Sequence, residues 1–482
     1  MPRLRSRHGS DNTVLALACL AQFMVVLDVS IVNVALPPIG RELHYSSIGL
    51  QWVVNAYVLT FAGFLLLGGR AADIFGRKKV FLAGLGVFTL ASLAAGIAQT
   101  SGELTAARAV QGLGGAILSP ATLTIITTTF KDGLSRTKAL GIWSSVGGAG
   151  GAAGAIFGGL LTGYLNWRWV FFVNLPIGAL AVVLTILVLT EERRLAGGRL
   201  DIAGAVTATG GLALLVYAIV STDTHPWGSA RTILLLAAAA ALIGVFVFIQ
   251  VRVASAPLMP LSLFRSRALS VANLTMLVVG ACFFSMWYFL TLYLQVVHGY
   301  GPLKAGLLFV PMAAAIVVGA QSSIRLVGRF GPPAVLIGGL VLAAGGYLWI
   351  AQLHASSSYV LGVLPGTLLT SLGMGLSFTP LAQTATGGVP VHMAGLASGL
   401  LNTSRQVGGS IGLAALATIA SSRAAQEAHS RGVKQALTSG YDRAFLVAAV
   451  LSLVGVAVAS LIPRVRSRQP DSQPEPAFTP AD

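Results

Sequence analysis

The sequence predicts an all-α polytopic membrane protein with fourteen transmembrane helices, arranged as two six-helix halves and two inserted helices. Three observations carry that reading. Hydrophobic residues make up 55% of the 482 residues and charged residues only 10%, with a mean hydropathy of +0.81, whereas soluble domains carry about 25% charge. The apolar residues gather into long runs, and a helix needs roughly 20 such residues to cross a bilayer. The basic residues fall mainly between those runs, so the net charge of +16 reads as topology information rather than as a nucleic-acid footprint.

The spans follow in order. The first, 13–36, comes after a tail, 1–12, that carries Arg3, Arg5 and Arg7, and it is too long for the core of a cleavable signal. Spans two and three, 47–69 and 79–99, flank Arg70, Arg77, Lys78 and Lys79. Spans four and five, 104–129 and 138–163, flank Lys131, Arg136 and Lys138. Span six, 169–190, ends before Arg193, Arg194 and Arg199, which lead into spans seven and eight, 200–221 and 230–252. Arg252, Arg265 and Arg267 precede span nine, 268–298. Span ten, 303–327, ends at Arg325 and Arg329, and spans eleven to fourteen occupy 332–353, 358–384, 395–421 and 441–462.

An even number of spans puts both termini on one side. With the termini in the cytoplasm, 21 basic residues fall inside and 8 outside, as the positive-inside rule requires. Only six of the 31 basic residues are lysine, and with alanine and glycine abundant this is the pattern of a high-GC bacterial genome. The expected location is therefore a bacterial cytoplasmic membrane. Cys19 and Cys282 both lie within apolar runs, so neither a disulfide framework nor a cysteine metal site is expected.

Duplication is common in transporters. Phe75-Gly76, after span two, aligns with Phe330-Gly331, after span ten, at an offset of 255 residues. The same offset carries the start of span one onto span nine. The expected organisation is a six-helix half at 13–190, an insert with two helices at 191–267, a second half at 268–462, and a disordered tail at 463–482.

Several motifs stand on this frame. The stretch Gly69–Lys79 combines glycines at Gly69 and Gly76 with Asp73 and the cations Arg77, Lys78 and Lys79. Its spacing resembles the loop between helices 2 and 3 of the major facilitator superfamily. Leu27-Asp28 through Pro37 resembles the first-helix motif of the 14-helix drug:proton antiporter branch. Leu104, Arg108, Gln111, Gly112 and Gly114 resemble the helix 4 motif, and Trp167-Arg168-Trp169 through Asn174 and Pro176 resemble the stretch between helices 5 and 6. Asn402 through Gly409 resembles the helix 13 motif. The helix 5 motif retains Gly150, Gly154, Gly158 and Gly159 but has Ala155 where the branch has proline.

The resemblance implies two rocking halves, a gating loop at 69–79, proton coupling through Asp28 and Arg108, and control of proton leak by the helix 5 glycines. On residue chemistry alone, those glycines also permit plain close helix packing. Asp28 is the one acid clearly inside a span, with Asp201 and Asp442 at span edges. A carboxylate at that depth is a functional candidate by default. At 1.5 Å per residue Asp28 and Arg108 fall about 12 and 6 Å from their outer ends, a depth that suits either a coupling pair or a static ion pair. Candidate cavity residues are the amides Gln22, Asn33, Gln51, Asn55, Gln111 and Gln321, the ring pair Trp287 and Tyr288, and the cation Arg405. Interhelical hydrogen bonds are the alternative use of each polar one.

The leading functional expectation is proton-coupled export of amphiphilic drugs or antibiotics by alternating access. Export of one metabolite or amino acid is the alternative. A membrane-embedded enzyme or ATP-driven pump is remote, because the G-x-x-x-x-G-K-[ST] and H-E-x-x-H patterns are absent. The expected partners are small amphiphiles, protons and the lipid bilayer, with the chain acting as a monomer and needing no cofactor, metal or nucleic acid.

Overall fold

A computed structural model describes residues 11–463 apart from 47, 131–132, 191–199, 223, 388, 390–392, 429 and 431, and leaves the side chains at 73, 133–134, 137, 144 and 147–148 undescribed. Apart from residues 11, 12 and 463, the expected tails lie outside the described residues, as do the cationic stretch 191–199 and the side chain of Asp73. The described helices are α1 (Asp11–Glu42), α2 (Trp52–Phe75), α3 (Arg77–Ile97), α4 (Ser101–Thr129), α5 (Gly133–Tyr164), α6 (Trp169–Phe172), α7 (Asn174–Val188), α8 (Ile202–Ser221) and α9 (Ala230–Phe248). They continue as α10 (Arg267–Leu292), α11 (Pro302–Leu308), α12 (Val310–Phe330), α13 (Pro332–Ile350), α14 (Leu364–Gly387), α15 (Ala394–Glu427) and α16 (Val433–Ala459).

Among the described residues, twelve stretches are long and apolar enough to cross a membrane, α6–α7 and α11–α12 each counting as one. Two more helices, α5 and α15, run for 32 and 34 residues and are richer in glycine and polar side chains. Local chemistry fixes several ends. Thr100 Oγ1 accepts from Glu103 N at 3.2 Å while Gln99 N donates to Glu103 Oε2 at 2.7 Å, capping α4. Asp201, Ser229 and Ser266 cap α8, α9 and α10 with their side-chain oxygens.

Two sequence expectations change here. Gly69 does not end a helix: α2 continues through it to Phe75, and the turn shrinks to Gly76 alone. Helices also outlast their apolar spans, because hydrogen-bonded turns persist into water where side chains pair. Arg423 and Glu427 form such an i,i+4 pair on the last turn of α15. Likewise α16 begins at Val433, so Asp442 lies well inside that helix rather than at its edge.

Gly76 and Gly331 are the pivots of two equivalent turns, with φ of 96° and 80°. Both sit between helices that follow one another without a loop, a backbone region that side chains with a Cβ rarely enter. The packing repeats too. α1 pairs with α5, and α4 with both α2 and α3; in the same way α10 pairs with α15, and α14 with both α12 and α13. The two groups meet along α5–α11 and α2–α15. Gly306 lets its helix approach α5 so closely that a Cβ there would stand 2.2 Å from the Ala155 carbonyl oxygen.

The inserted pair lies outside both groups. α8 packs on α2 and α15 together, with Val216 buried beside Leu59 and Ala414 and Gly63 against Thr209. α9 rests on α8 and leaves Ile233, Leu234 and Phe248 exposed.

Candidate functional site

The first group of helices is sealed around a charged centre. α1 supplies Asp28, α4 supplies Arg108 and Gln111, α3 supplies Ser92 and α7 supplies Asn174. Arg108 Nη1 donates to Asp28 Oδ2 at 2.5 Å and to Gln111 Oε1 at 2.6 Å, and its Nε donates to the Val53 carbonyl at 3.0 Å. The other carboxylate oxygen, Oδ1, accepts from Gln111 Nε2 at 2.7 Å and from Asn174 Nδ2 at 3.0 Å. Gln111 Nε2 also reaches Ser92 Oγ at 2.7 Å, and Ser92 Oγ donates to the Phe88 carbonyl at 2.8 Å. The Arg108 guanidinium lies 4.4 Å from the Tyr57 ring centre, a cation–π contact.

None of this touches solvent: Asp28, Gln111, Ser92, Asn174 and Tyr57 are 0% exposed and Arg108 is 2%. Both charges are desolvated at a cost of several kcal/mol each, which only close pairing and full hydrogen bonding offset. Neutralising either member therefore disturbs five helices at once. Just beyond the pair, towards the Glu42 end of α1, Tyr45 Oη donates to the Ser101 carbonyl at 2.6 Å and lies 2.9 Å from Thr105 Oγ1. Burial holds the Tyr45 phenol above its ordinary range, so it stays protonated.

The sequence reading of Gln111 as a cavity amide changes here, since the side chain is consumed within the ion cluster. Asn55 is fully buried and joins the two groups, accepting from Ser410 Oγ at 2.9 Å and donating to Gln51 Oε1 at 3.2 Å. Asn33 bonds its own helix at Val29 O, Gln22 accepts from Ser119 Oγ at 3.4 Å, and Gln321 stands exposed on α12. Tyr288 is buried against Phe289. Trp287 is half-buried and stacks on Phe309 at 4.9 Å. Arg405 donates from Nη2 to Asn402 Oδ1 at 2.8 Å and stands 6.0 Å from the Phe378 ring centre.

The helix 5 glycines press α5 onto α1. A Cβ at Gly150, Gly154 or Gly158 would meet Val26, Ser30 or Ile31 within 3.2 Å, and Ser30 Oγ donates to the Gly151 carbonyl at 2.6 Å. Gly159 instead faces Pro302 and Leu303 across the seam. With Ala155 in place of proline, α5 runs unbroken from Gly133 to Tyr164. Near the Gly76 turn, Lys78 Nζ donates to the carbonyls of Ile186 at 3.0 Å and Leu189 at 2.5 Å, closing the end of α7. The Trp167-Arg168 motif is a tie. Trp167 Nε1 and Arg168 Nη2 donate to the two Glu42 oxygens at 2.7 and 2.9 Å, and Arg168 Nη1 to the Ala98 carbonyl at 2.5 Å.

Sequence reasoning gave Ser92 and Tyr57 no role and quoted Asn174 only within the stretch between helices 5 and 6. Asn174 was findable as an amide at the head of an apolar helix; nothing marks out Ser92 or Tyr57 among many similar residues.

Residues 18–413 match the family model of the Major Facilitator Superfamily. The chain is 42% identical to the cephamycin export protein CmcT of Amycolatopsis lactamdurans, over 96% of this chain and 95% of that protein. It is 37% identical to the puromycin resistance protein pur8 of Streptomyces alboniger, over 97% of this chain and 94% of that one. In structure it resembles a bacterial homolog of the human lysosomal transporter Spinster in an inward-facing, occupied conformation, with a TM-score of 0.68, 16% identity, and 94% and 96% coverage of the two chains.

Proposed function

The chain belongs to the major facilitator superfamily, so it is a multi-pass membrane transporter and not an enzyme, and from that premise we propose that it exports antibiotic- or drug-like amphiphiles in exchange for protons. The observation that carries the proposal is the buried Asp28–Arg108 pair, set inside a chain whose relatives are named for antibiotic export and resistance. A proton delivered to Asp28 cancels its attraction for Arg108 and loosens α1 from α4. Its release restores the tie, and the two states favour different orientations of the helix groups. One charge crossing the membrane supplies about 2.3 kcal/mol per 100 mV.

In this reading α1–α7 and α10–α16 are the two rocking halves, α5 and α15 complete fourteen crossings, and the protein works as a monomer in a bacterial cytoplasmic membrane. Both termini are cytoplasmic, which the basic Gly76 end supports. The tight α5–α11 seam then closes the outer side, leaving the cavity open inwards. Gly69, Asp73, Gly76, Arg77 and Lys78 form the inner gating turn, and Gly150, Gly154, Gly158 and Gly159 the sliding surface of α5.

Drug susceptibility of an efflux-deficient host, with and without the chain, tests the export. Protection should survive ATP depletion and vanish with a protonophore. Unchanged susceptibility across a broad panel would overturn the drug-export reading.

A further inference from the structure

We infer that the wall formed by α10, α14 and α15 takes aromatic amphiphiles bearing a carboxylate or similar acidic group, with Arg405 as the residue that selects for the negative charge; this rests on the export reading above. The wall is a continuous aromatic strip. Phe309 backs Trp287 at 4.9 Å, Trp287 stands 6.3 Å from Phe283, Phe283 stands 6.0 Å from Phe378, and Phe378 lies 6.0 Å from the Arg405 guanidinium. Trp287, Phe283, Phe378 and Arg405 are each only partly covered. Such a strip offers ring faces to a flat guest and ends in a cation.

The charge of that cation is unmatched. Arg405 makes no ion pair among the described residues; its one hydrogen bond there is to the neutral Asn402. The sequence has no Asp or Glu at all between Asp223 and Glu427, and Glu427 already pairs with Arg423. Asp28 offers nothing to a guest, because both of its oxygens are bonded and it is wholly enclosed. A cationic guest therefore meets no counter-charge on this wall, and an anionic one does. A cation left facing hydrocarbon would be costly, so this face belongs to a hydrated cavity rather than to lipid.

Two donors on the same strip also lack an acceptor: Trp287 Nε1 and Arg405 Nε. Buried N–H groups without partners are uncommon and costly. A carboxylate oxygen is the acceptor such donors match best, through charge-assisted hydrogen bonds. The approach has the same sign. Arg136 and Lys138 near the start of α5, and Arg325 and Arg329 near the end of α12, are exposed, and like-signed surface charge concentrates ions of the opposite sign.

The test uses the full-length protein in proteoliposomes and a pair of probes, a carboxylated polycyclic dye and its methyl ester, assayed well above the dye's own pKa. Wild-type protein should bind and transport the acid about ten-fold better than the ester, the scale of one hydrogen bond to a charged group. Arg405→Gln should erase that preference by weakening the acid alone, and Arg405→Lys should keep part of it. Equal handling of acid and ester by wild-type protein, which needs no variant to measure, would overturn the inference while leaving export intact. So would an Arg405→Gln protein, monodisperse in detergent, that keeps the preference. Failure to transport either dye in wild-type protein would overturn the export reading and the charge selection together.

Discussion

Asp28 and Arg108, eighty residues apart in the chain, meet at 2.5 Å in a space where neither is more than 2% exposed. Neither side chain is open to solvent in this conformation, and the variants below separate a coupling pair from a static one.

Asp28→Asn keeps the size and the hydrogen bonds to Gln111 and Asn174 but cannot ionise. Export driven by a pH gradient in vesicles should fall to background, with protein still present in the membrane. Arg108→Ala leaves a buried carboxylate without its cation and should cost about 3–5 kcal/mol of stability. The pair Asp28→Asn with Arg108→Gln should recover the melting temperature more than the transport. Normal uphill transport by that double variant would remove the pair from the mechanism.

Asn174→Ala deletes one of the two amides on Asp28 Oδ1. A hydrogen bond to a charged group contributes about 1.5–3 kcal/mol, so thermal stability in detergent should drop while the Arg108 contact persists. Transport should be impaired but measurable. A melting temperature equal to wild type would mean that Gln111 alone satisfies that oxygen.

Gly306→Val places a branched side chain where a Cβ already stands 2.2 Å from the Ala155 carbonyl. The α5–α11 seam should then fail to close. Spin labels at Tyr164 and Leu303 should report a longer separation, and transport should stop without loss of protein. An unchanged distance distribution would show that the close approach is dispensable.

Gly76→Ala and Gly331→Ala each force a Cβ into a region of φ that strains other residues, costing on the order of 1–3 kcal/mol. Gly86→Ala and Gly328→Ala, whose added Cβ meets nothing within 4 Å, should be neutral or slightly stabilising. Melting temperatures of the four variants should therefore split into two pairs.

The pairing of Asp28 with Arg108 was legible because an acid and a base inside apolar runs have few ways to be satisfied. The equivalence of Gly76 and Gly331 was legible because a turn without a loop leaves a mark in the sequence. Gln111 and Gln321 show what was not. Both are amides at membrane depth, yet one is enclosed in the ion cluster and the other stands exposed on α12. Helical rise gives depth along the axis, but direction around it turns by about 100° per residue. An uncertainty of two residues in a boundary therefore hides which side chains face one another. Asp442 shows a related limit: it stands at the edge of the apolar span 441–462 yet inside α16, because hydropathy marks the lipid-facing length of a helix, not its hydrogen-bonded ends.

The position of α8 has a consequence for molecules dissolved in lipid rather than in water. The two seams between the helix groups are unequal. One, along α2 and α15, is walled off by α8 with α9 behind it. The other, along α5 and α11, has no such screen among the described residues, and at its Gly76 end α5 borders a groove of about 560 Å³ lined by Lys138, Gly141, Ile142, Ser145, Val146 and Ala149. On α12, Val317, Val318 and Ile324 are exposed as well. On the export reading, a guest already dissolved in that leaflet would meet less cover on the α5 side of the molecule than on the α8 side.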